Sequence, residues 1–208
     1  MKKIYYQFTF EQEGSTLLLL KDLLLNGVFR ILIKELPTEF TTSFLHNLAG
    51  LKSEGLELIL SYSPERLEKL SPFGVVVDED YDVIDQLRKD HPQLLLCMAA
   101  NSVVACKNGE LAGVNELFVD LQKFRTSSLQ PKGLIGQEAV ENFYPAKEGY
   151  GWVFLTLNTA LVIDGIQSLH QMKAVFADTD CTAILLSETF ESTLSLQEKI
   201  HAVNTILL

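Results

Sequence analysis

Residues 57–89 read ELILSYSPERLEKLSPFGVVVDEDYDVIDQLRK, and this stretch contains two copies of one pattern. In each copy a short apolar run, Glu57–Leu60 or Gly74–Val77, precedes a longer segment whose apolar residues recur every three or four positions. Such runs are typical of β-strands, and the longer spacing is typical of amphipathic α-helices. Ser63 before Pro64 also matches a helix start, with an N-cap residue followed by proline at the first helical position. The stretch therefore predicts strand, helix, strand and helix.

The same alternation continues along the chain and gives eight pairs of a strand and a helix. The predicted strands are apolar nearly throughout, which favours a parallel sheet covered on both faces, because a half-exposed strand would alternate polar and apolar residues. These strands are Ile4–Phe8, Phe29–Ile33, Glu57–Leu60, Gly74–Val77, Leu94–Met98, Glu116–Val119, Trp152–Leu157 and Thr182–Leu186. The predicted helices are Thr16–Asn26, Thr41–Ser53, Pro64–Leu70, Tyr81–Lys89, Ser102–Lys107, Ile135–Tyr144, Ile166–Phe176 and Ser195–Leu207.

This arrangement predicts a closed (βα)8 barrel, the TIM-barrel fold, formed as one domain over residues 1–208. Eight units in 208 residues average about 26 residues each, near the lower size limit of such a barrel. An open, doubly wound α/β sheet is the alternative. We place no domain boundary, because the sequence contains no linker rich in Gly, Ser or Pro.

The charge balance narrows the classes of partner. Seventeen Lys and Arg against 27 Asp and Glu give a net charge of −10, so phosphate backbones and anionic membranes are repelled on average. We therefore expect no nucleic-acid partner. The leucine-rich run 17–25 is broken by Lys21 and Asp22, and no stretch reaches the roughly 20 apolar residues of a membrane span. A cytoplasmic protein without a membrane partner is the expectation.

The three cysteines, Cys97, Cys106 and Cys181, give no sign of a metal or redox site. No two of them have the CxxC spacing of a zinc site or a redox dithiol. We expect reduced thiols packed in the core.

Five segments carry a further pattern, and they follow one another in a fixed order. They are GVFRILIKE at Gly27–Glu35, LILSYSPE at Leu58–Glu65, GVVVDED at Gly74–Asp80, FRTSS at Phe124–Ser128 and AILLS at Ala183–Ser187. In that order they resemble the segments associated with strands two, three, four, six and eight of thiamine phosphate synthase and its relative, thiazole tautomerase. The collinear order over most of the chain is the strength of this resemblance.

The resemblance implies a (βα)8 barrel linked to thiamine biosynthesis. The reaction it implies is the condensation of a hydroxymethylpyrimidine diphosphate with a thiazole phosphate, with loss of pyrophosphate. It also implies Mg²⁺ as cofactor and a small phosphorylated heterocycle as ligand.

Several positions depart from the pattern of this family. The Gln that contacts the pyrimidine falls on Leu32, the Asp that helps to hold Mg²⁺ falls on Tyr62, and a Lys falls on Leu129. A diphosphate leaving group needs cations to offset the charge that builds on its oxygens. The departures therefore predict synthase activity far below that of a member that retains the charged residues.

A barrel places its chemistry at the C-terminal ends of its strands, and this rule selects the catalytic candidates Lys34, Ser61 and Tyr62. Lys34 is the only cation close to a predicted strand end in the first half of the chain, so we expect it to meet an anionic group. Asp78 and Asp80 follow the fourth predicted strand, and carboxylates of this kind are ligands that Mg²⁺ accepts.

Phosphate binding is expected at Thr126, Ser128, Gly165 and Ser187. Thr126 and Ser128 offer hydroxyl groups, and glycine at a helix start permits close approach of backbone N–H groups to phosphate. The register of strand seven is open: with Trp152–Leu157 as the strand Gly165 lies further into the loop, whereas a strand over residues 160–163 puts Gly165 at the turn. In either register Asp164 or another polar residue replaces a glycine, and a carboxylate there would repel phosphate.

Two other functions fit the same residues. One is a catalytically silent barrel that binds a phosphorylated ligand or a protein partner, and the other is a different phosphosugar isomerase or aldolase barrel, because this fold hosts many chemistries. The residues do not decide between an enzyme and a binding protein, and assembly with copies of the same chain stays open.

Overall fold

The computed structural model describes residues 3–120, 159–178, 181–191 and 193–207. Eight parallel strands form a closed barrel in chain order, and β8 pairs with β1 to complete the ring. The strands are β1 Lys3–Thr9, β2 Arg30–Lys34, β3 Glu57–Ser61, β4 Gly74–Val77, β5 Leu95–Ala99, β6 Glu116–Asp120, β7 Ala160–Asp164 and β8 Ala183–Leu186. The predicted TIM barrel is confirmed, and the open-sheet alternative is wrong.

The described helices alternate with the strands. They are α1 Glu13–Leu25, α2 Thr42–Ser53, α3 Pro64–Leu70, α4 Tyr81–Asp90, α5 Val103–Leu111, α6 Leu169–Asp178 and α7 Leu196–Leu207. The predicted helix Ile135–Tyr144 lies outside the described residues. Within the described ranges, no helix has the length and the apolar character needed to cross a membrane.

Strand seven is the main correction to the predicted elements. The strand that pairs with both β6 and β8 is Ala160–Asp164, with Glu116 opposite Ala160 and Val162 opposite Ala183. The run Trp152–Leu157 lies outside the described residues. Both runs are short and apolar, so their composition could not show which of them forms strand seven. With Ala160–Asp164 as the strand, Gly165 comes directly after it.

Two of the predicted helix starts can be compared with the structure. Pro64 occupies the first turn of α3, but the side chain of Ser63 makes no capping hydrogen bond. The last helix begins with a capping box: the Ser195 N–H donates to Glu198 Oε2 over 2.8 Å, and Ser195 Oγ accepts from the Glu198 N–H over 3.4 Å. These two reciprocal bonds fix the start of α7 at the predicted Ser195.

The buried apolar residues form two separate clusters. The larger one joins strands to helices, whereas the smaller one contains strand residues alone and therefore fills the inside of the barrel. All three cysteines are buried, as predicted. The smaller cluster consists of Tyr5, Leu32, Ile59, Cys97, Phe118, Val162, Ala183 and Leu185, with Val76 and Leu95 packed against it.

Strand alternation extends this inward-facing set toward both barrel ends, because every second residue points to the same face. Toward the C-terminal ends it adds Gln7, Lys34 and Asp164, so these side chains belong to the barrel mouth. Toward the N-terminal ends it adds Arg30 and Glu116. The strand sequence thus places polar groups at both ends of one apolar interior.

The polar groups at the N-terminal ends bond to one another, and we call them the base network. Arg30 donates through Nε to Glu57 Oε2 over 2.5 Å and through Nη1 to Glu116 Oε1 over 2.9 Å. It also donates to the Tyr5 hydroxyl, which donates in turn to Glu116 Oε1 over 2.6 Å. The Sγ of Cys97 lies 3.8 Å from Glu116 Oε2, and burial raises the pKa of this thiol well above its ordinary value. Each charge in the base network therefore has a partner of opposite sign.

Candidate functional site

A cleft of about 250 Å³ opens at the C-terminal ends of β1, β2 and β8. This volume is below the roughly 300–1,000 Å³ of pockets for drug-sized ligands, so the cleft suits a small molecule or one end of a larger one. We call it the mouth cleft. Its lining residues are Gln7, Phe8, Thr9, Lys34, Ser187, Glu188 and Thr189.

Lys34 supplies the positive charge of the mouth cleft. It ends β2 with an exposed side chain, and its carbonyl accepts the N–H of Phe10, which ties the end of β2 to the end of β1. The next residue, Glu35, has a positive φ of 55°, so the chain turns sharply away from the barrel directly after Lys34. The backbone thus fixes the point at the rim of the cleft from which the Lys34 side chain extends.

Hydroxyl groups lie on the β8 side of the same cleft. Ser187 Oγ and Thr189 Oγ1 are 2.8 Å apart and share a hydrogen bond in the turn that follows β8. The Ser187 carbonyl accepts the N–H of Phe190, which is fully buried and anchors this turn. Because one of these hydroxyls donates to the other, the pair offers one free O–H, which together with the Lys34 ammonium of the same cleft could bind an anionic oxygen.

Gln7 bonds to an acidic residue, Asp164, which does not itself line the cleft. Gln7 Nε2 donates to Asp164 Oδ1 over 2.8 Å, and the Gly165 N–H donates to the same oxygen over 2.6 Å. Asp120 at the end of β6 is opposite Asp164 in the sheet register. Burial raises the pKa of Asp164, and the charge of Asp120 adds to this, while Gly165, Lys34 and Gln7 act in the opposite direction.

Gln7 is only 6% exposed, and its Oε1 has no hydrogen-bond partner among the residues that the structure describes. The orientation of its amide is fixed, because Nε2 must face the Asp164 carboxylate. Gln7 lines the mouth cleft, but its unpartnered oxygen is closed off from solvent. Buried acceptors are rarely left without a partner in proteins.

The structure brings together some of the predicted site residues. Lys34 and Ser187 line the same cleft, and Gly165 adjoins the Asp164 carboxylate. Ser61 ends β3 at the same barrel end with an exposed side chain, but it does not line the cleft. Thr126 and Ser128 lie outside the described residues.

Tyr62 is placed away from these residues. Its side chain packs against the apolar cluster between strands and helices, one position out of phase with the inward-facing Ile59 and Ser61. It lines a second cavity of about 800 Å³ on the outside of the barrel, beside Pro64 and Leu67 of α3 and Gln86 of α4. Tyr62 follows the end of β3, but successive side chains along a strand point to opposite faces, so the Tyr62 side chain points out of the barrel.

The predicted phosphate turn at Gly165 has the backbone shape that phosphate sites use. Gly165 has a φ of +78°, which glycine adopts without strain. Its N–H, however, donates to Asp164 of the same chain. The carboxylate occupies the donor that a phosphate would use.

One of the two carboxylates expected to hold Mg²⁺ already has a bond within the chain. The Asp80 carboxylate accepts the N–H of Val83 over 3.2 Å and so caps α4, and the Asp80 N–H donates to the carbonyl of Asp78. No group of three or more His, Cys, Asp or Glu side chains suited to a metal ion occurs within the described part of the chain. Asp78 and Asp80 stay predicted Mg²⁺ ligands, and neither the neutral Ser61 nor the outward-packed Tyr62 adds a carboxylate to them.

Reasoning from the sequence missed Gln7 and Thr189. A signal for Gln7 exists, since it is the polar residue inside the apolar run Ile4–Phe8 and shares the parity of Tyr5. Its partner Asp164 is 157 positions away in the chain, so the pair becomes visible only when the barrel closes.

No protein-family model matches the sequence, and no curated protein matches it. Solved structures do match. Thiamine phosphate pyrophosphorylase from Pyrococcus furiosus superposes with a TM-score of 0.71 at 12% identity, covering 99% of this chain and 95% of that chain.

Two further matches belong to other enzyme classes. A 4-hydroxy-2-oxoglutarate aldolase superposes with a TM-score of 0.64 at 15% identity, covering 99% of this chain and 94% of that chain. A mandelate racemase/muconate lactonizing enzyme from Roseiflexus sp. superposes with a TM-score of 0.56 at 16% identity, covering 90% of this chain and 55% of that chain. At these identities the likeness is one of fold, and the chain is a TIM barrel that resembles thiamine phosphate pyrophosphorylase and aldolases.

Proposed function

We propose that this protein binds a small phosphorylated heterocycle at the mouth cleft, as a divergent relative of thiamine phosphate synthase. One observation carries the proposal: Lys34, Ser187 and Thr189 line the same cleft at the barrel end where TIM barrels bind their ligands. The collinear sequence resemblance and the fold likeness to a thiamine phosphate pyrophosphorylase support the choice of ligand class.

The phosphate group belongs on the β2 and β8 side of the cleft in this proposal. There the Lys34 ammonium offsets its charge, and the Ser187 and Thr189 hydroxyls donate to its oxygens. The Gly165 turn is a poorer seat, because Asp164 already accepts its N–H and repels a second anion. Thr126 and Ser128 stay in the proposal as further hydroxyl donors.

The reaction implied for such a ligand is the condensation of a hydroxymethylpyrimidine diphosphate with a thiazole phosphate. Lys34 lines the mouth cleft and could offset charge on the departing diphosphate. We expect slow turnover, because one cation supplies only part of the charge stabilisation that this leaving group needs.

A catalytically silent binding barrel is the second candidate, and Leu32 favours it. Leu32 is 6% exposed and packs inside the barrel cluster, where the resembling family places a pyrimidine-contacting Gln. An apolar side chain there fills the interior and offers a heterocycle no hydrogen bond.

The test is calorimetric titration with thiazole phosphate, thiamine phosphate and pyrophosphate, each against the unaltered protein, Lys34→Met and Lys21→Met. Lys21 is an exposed lysine on α1 and controls for the loss of one charge. We expect binding that Lys34→Met weakens by about tenfold or more, as the loss of a hydrogen bond to a charged group predicts, and that Lys21→Met leaves unchanged. No binding of any probe, or equal affinity in Lys34→Met, would overturn the proposal.

A turnover assay with both substrates separates the two candidates. Thiamine phosphate formation that requires Lys34 supports the slow enzyme. Binding without product supports the silent barrel.

A further inference from the structure

A groove on the outside of the barrel lies between α3 and α4, away from the mouth cleft. Its volume of about 800 Å³ falls within the roughly 300–1,000 Å³ of pockets that bind ligands. We call it the helix groove. The lining residues on which the inference depends are Tyr62, Leu67, Glu68, Phe73, Asp90 and His91.

The helix groove extends along the height of the barrel. At one end lies Tyr62, whose N–H donates to the Val76 carbonyl over 2.9 Å, so Tyr62 is level with Val76 of β4. At the other end lies Phe73, the residue before β4. The step from Phe73 to Val76 spans about 10 Å at roughly 3.3 Å per residue. This length matches about two turns of an α-helix, whose pitch is about 5.4 Å.

A short helix borders the groove. α3 has 7 residues, whereas its neighbours α2 and α4 have 12 and 10. At about 1.5 Å per residue, α3 is about 10 Å long and α2 is about 18 Å long. Among these three helices, α3 therefore covers the least of the barrel wall, and the groove lies beside it.

The groove presents apolar surface to solvent. Phe73 is 41% exposed, Pro64 and Pro92 are exposed, and Leu67 is half-buried. The Phe73 ring is held in place, because the Arg30 guanidinium packs against it at 4.9 Å from the ring centroid. Exposed apolar patches with a polar rim are typical of surfaces that bind a partner.

The charged part of the lining is acidic. Glu68 and Asp90 both line the groove, and none of its lining residues is Lys or Arg. Neither carboxylate forms an ion pair within the described part of the chain. The Lys and Arg side chains of α3 and α4 bond elsewhere: Arg66 to the Leu36 carbonyl, Lys69 to the Thr38 carbonyl, Arg88 to Asn115 Oδ1 and Lys89 to Asp85. The groove therefore keeps two carboxylates that the cations of its own helices do not pair.

From this geometry we infer that the helix groove docks an amphipathic helix of a basic partner protein. Apolar side chains of that helix pack against Leu67 and Phe73, and its Lys or Arg side chains lie beside Glu68 and Asp90. Two turns of such a helix present apolar residues at positions i, i+3, i+4 and i+7, which suit one elongated groove.

Charge complementarity favours a basic partner over a second copy of this chain, because two copies would each carry a net charge of −10. The inference goes beyond the proposed function and does not depend on it, since no residue lines both the helix groove and the mouth cleft. Loss of the phosphate site would leave this surface unchanged.

The test uses two synthetic peptides of about 15 residues, a length at which an isolated helix begins to form. Both carry leucine at i, i+3, i+4 and i+7, and their other positions carry mainly lysine in one peptide and mainly glutamate in the other. Fluorescence anisotropy follows their titration with the full chain and its variants. The groove variants are Leu67→Gln and the double variant Glu68→Gln/Asp90→Asn, and the matched controls are Leu18→Gln and Glu65→Gln/Asp82→Asn, whose exposed residues lie on α1, α3 and α4 outside the groove.

We expect the lysine peptide to bind and the glutamate peptide not to bind. Leu67→Gln should weaken the lysine peptide by about tenfold through the lost apolar contact, and Glu68→Gln/Asp90→Asn should weaken it by about tenfold through two lost ion pairs. Both control variants should bind it as the unaltered protein does. The double control removes the same charge from the same two helices, so it separates the groove from the charge of the whole protein.

Four results would overturn the inference. They are no binding of either peptide, equal affinity for both peptides, equal effects of groove and control variants, and a dimer of the unaltered protein that Leu67→Gln dissociates in sedimentation velocity. The last result would assign the groove to a second copy. Thermal unfolding checks that each variant is folded, and Glu68→Gln/Asp90→Asn changes exposed side chains alone, so the test survives a failure of Leu67→Gln to fold.

Discussion

The two ends of the barrel are built from the same kinds of residues but differ in how their polar groups are partnered. In the base network, Arg30 bonds to Glu57, Glu116 and Tyr5. At the mouth, Gln7 bonds to Asp164 through one atom and leaves the other without a partner among the described residues. A complete network stabilises the fold and needs no ligand, so the contrast supports the proposal of a ligand site at the mouth.

The largest expected effect is the loss of stability in Arg30→Met. The substitution leaves Glu116 buried at the barrel base without its cation, and breaking a buried ion pair in this way costs about 3–5 kcal/mol. Urea unfolding followed by circular dichroism measures it. Lys89→Met is the control, because Lys89 pairs with Asp85 on the exposed face of α4, where solvent screens the pair and its loss should change stability little. Similar losses in both variants would show that the base network does not hold the barrel.

A smaller effect is expected at the rim of the mouth. Ser187→Ala removes one hydroxyl donor from the mouth cleft, and a single neutral hydrogen bond contributes about 1 kcal/mol, or roughly fivefold in affinity. Calorimetry with thiazole phosphate measures the change. Ser43→Ala, on the exposed start of α2, is the matched control and should bind normally. An unchanged affinity in Ser187→Ala would remove β8 from the phosphate site.

Lys34→Met should change the free energy of unfolding by no more than about 0.5 kcal/mol, although it should abolish most of the ligand affinity. The side chain is exposed and forms no ion pair within the described part of the chain, so the folded state loses little. Urea unfolding of Lys34→Met and Arg30→Met under the same conditions compares their free energies of unfolding directly. A large loss of stability in Lys34→Met would show that the mouth, like the base network, contributes to the stability of the fold.

The smallest expected effect is a change in how stability depends on pH in Asp164→Asn. The pKa of Asp164 in the folded protein lies above its ordinary value of 3.8, mainly because the carboxyl is buried. Its contribution to stability is therefore complete below that ordinary value and is lost as the pH rises through the folded pKa.

Asparagine does not titrate, so the stability of Asp164→Asn relative to the unaltered protein should increase from pH 3 to pH 7. Urea unfolding across this range measures the difference, with Asp82→Asn as control. A relative stability that decreases with pH would show that the carboxylate is favoured by folding.

Part of this molecule could be predicted from its sequence because the information is local. The alternation of apolar runs with helical spacing predicted eight strands, and strand ends led directly to Lys34 and Ser187. Tyr62 shows the limit, because a strand end gives the height of a side chain in the barrel but not its direction. Whether a side chain points into or out of the barrel depends on how its strand pairs with the neighbouring strands. This pairing places the Ser61 side chain inward and the Tyr62 side chain outward.

The roles of single polar groups depended on contacts that no local pattern contains. Asp80 is predicted to be a metal ligand from its charge, and the structure shows that it also caps the helix that follows it. Asp164 was recognised as an obstacle to phosphate, but its bond to Gln7 required strands β1 and β7 to be joined around the ring. The base network likewise joins residues separated by 86 positions, Arg30 and Glu116.

The hydrogen bond from Gly165 to Asp164 has a consequence for ligand competition. The carboxylate is attached to the residue next to the N–H that it occupies, so its effective concentration at this donor exceeds that of any dissolved anion. A phosphate approaching the turn would have to displace a tethered competitor that never diffuses away. Screening with high concentrations of inorganic phosphate would therefore fill the Lys34 side of the cleft long before it reached this turn.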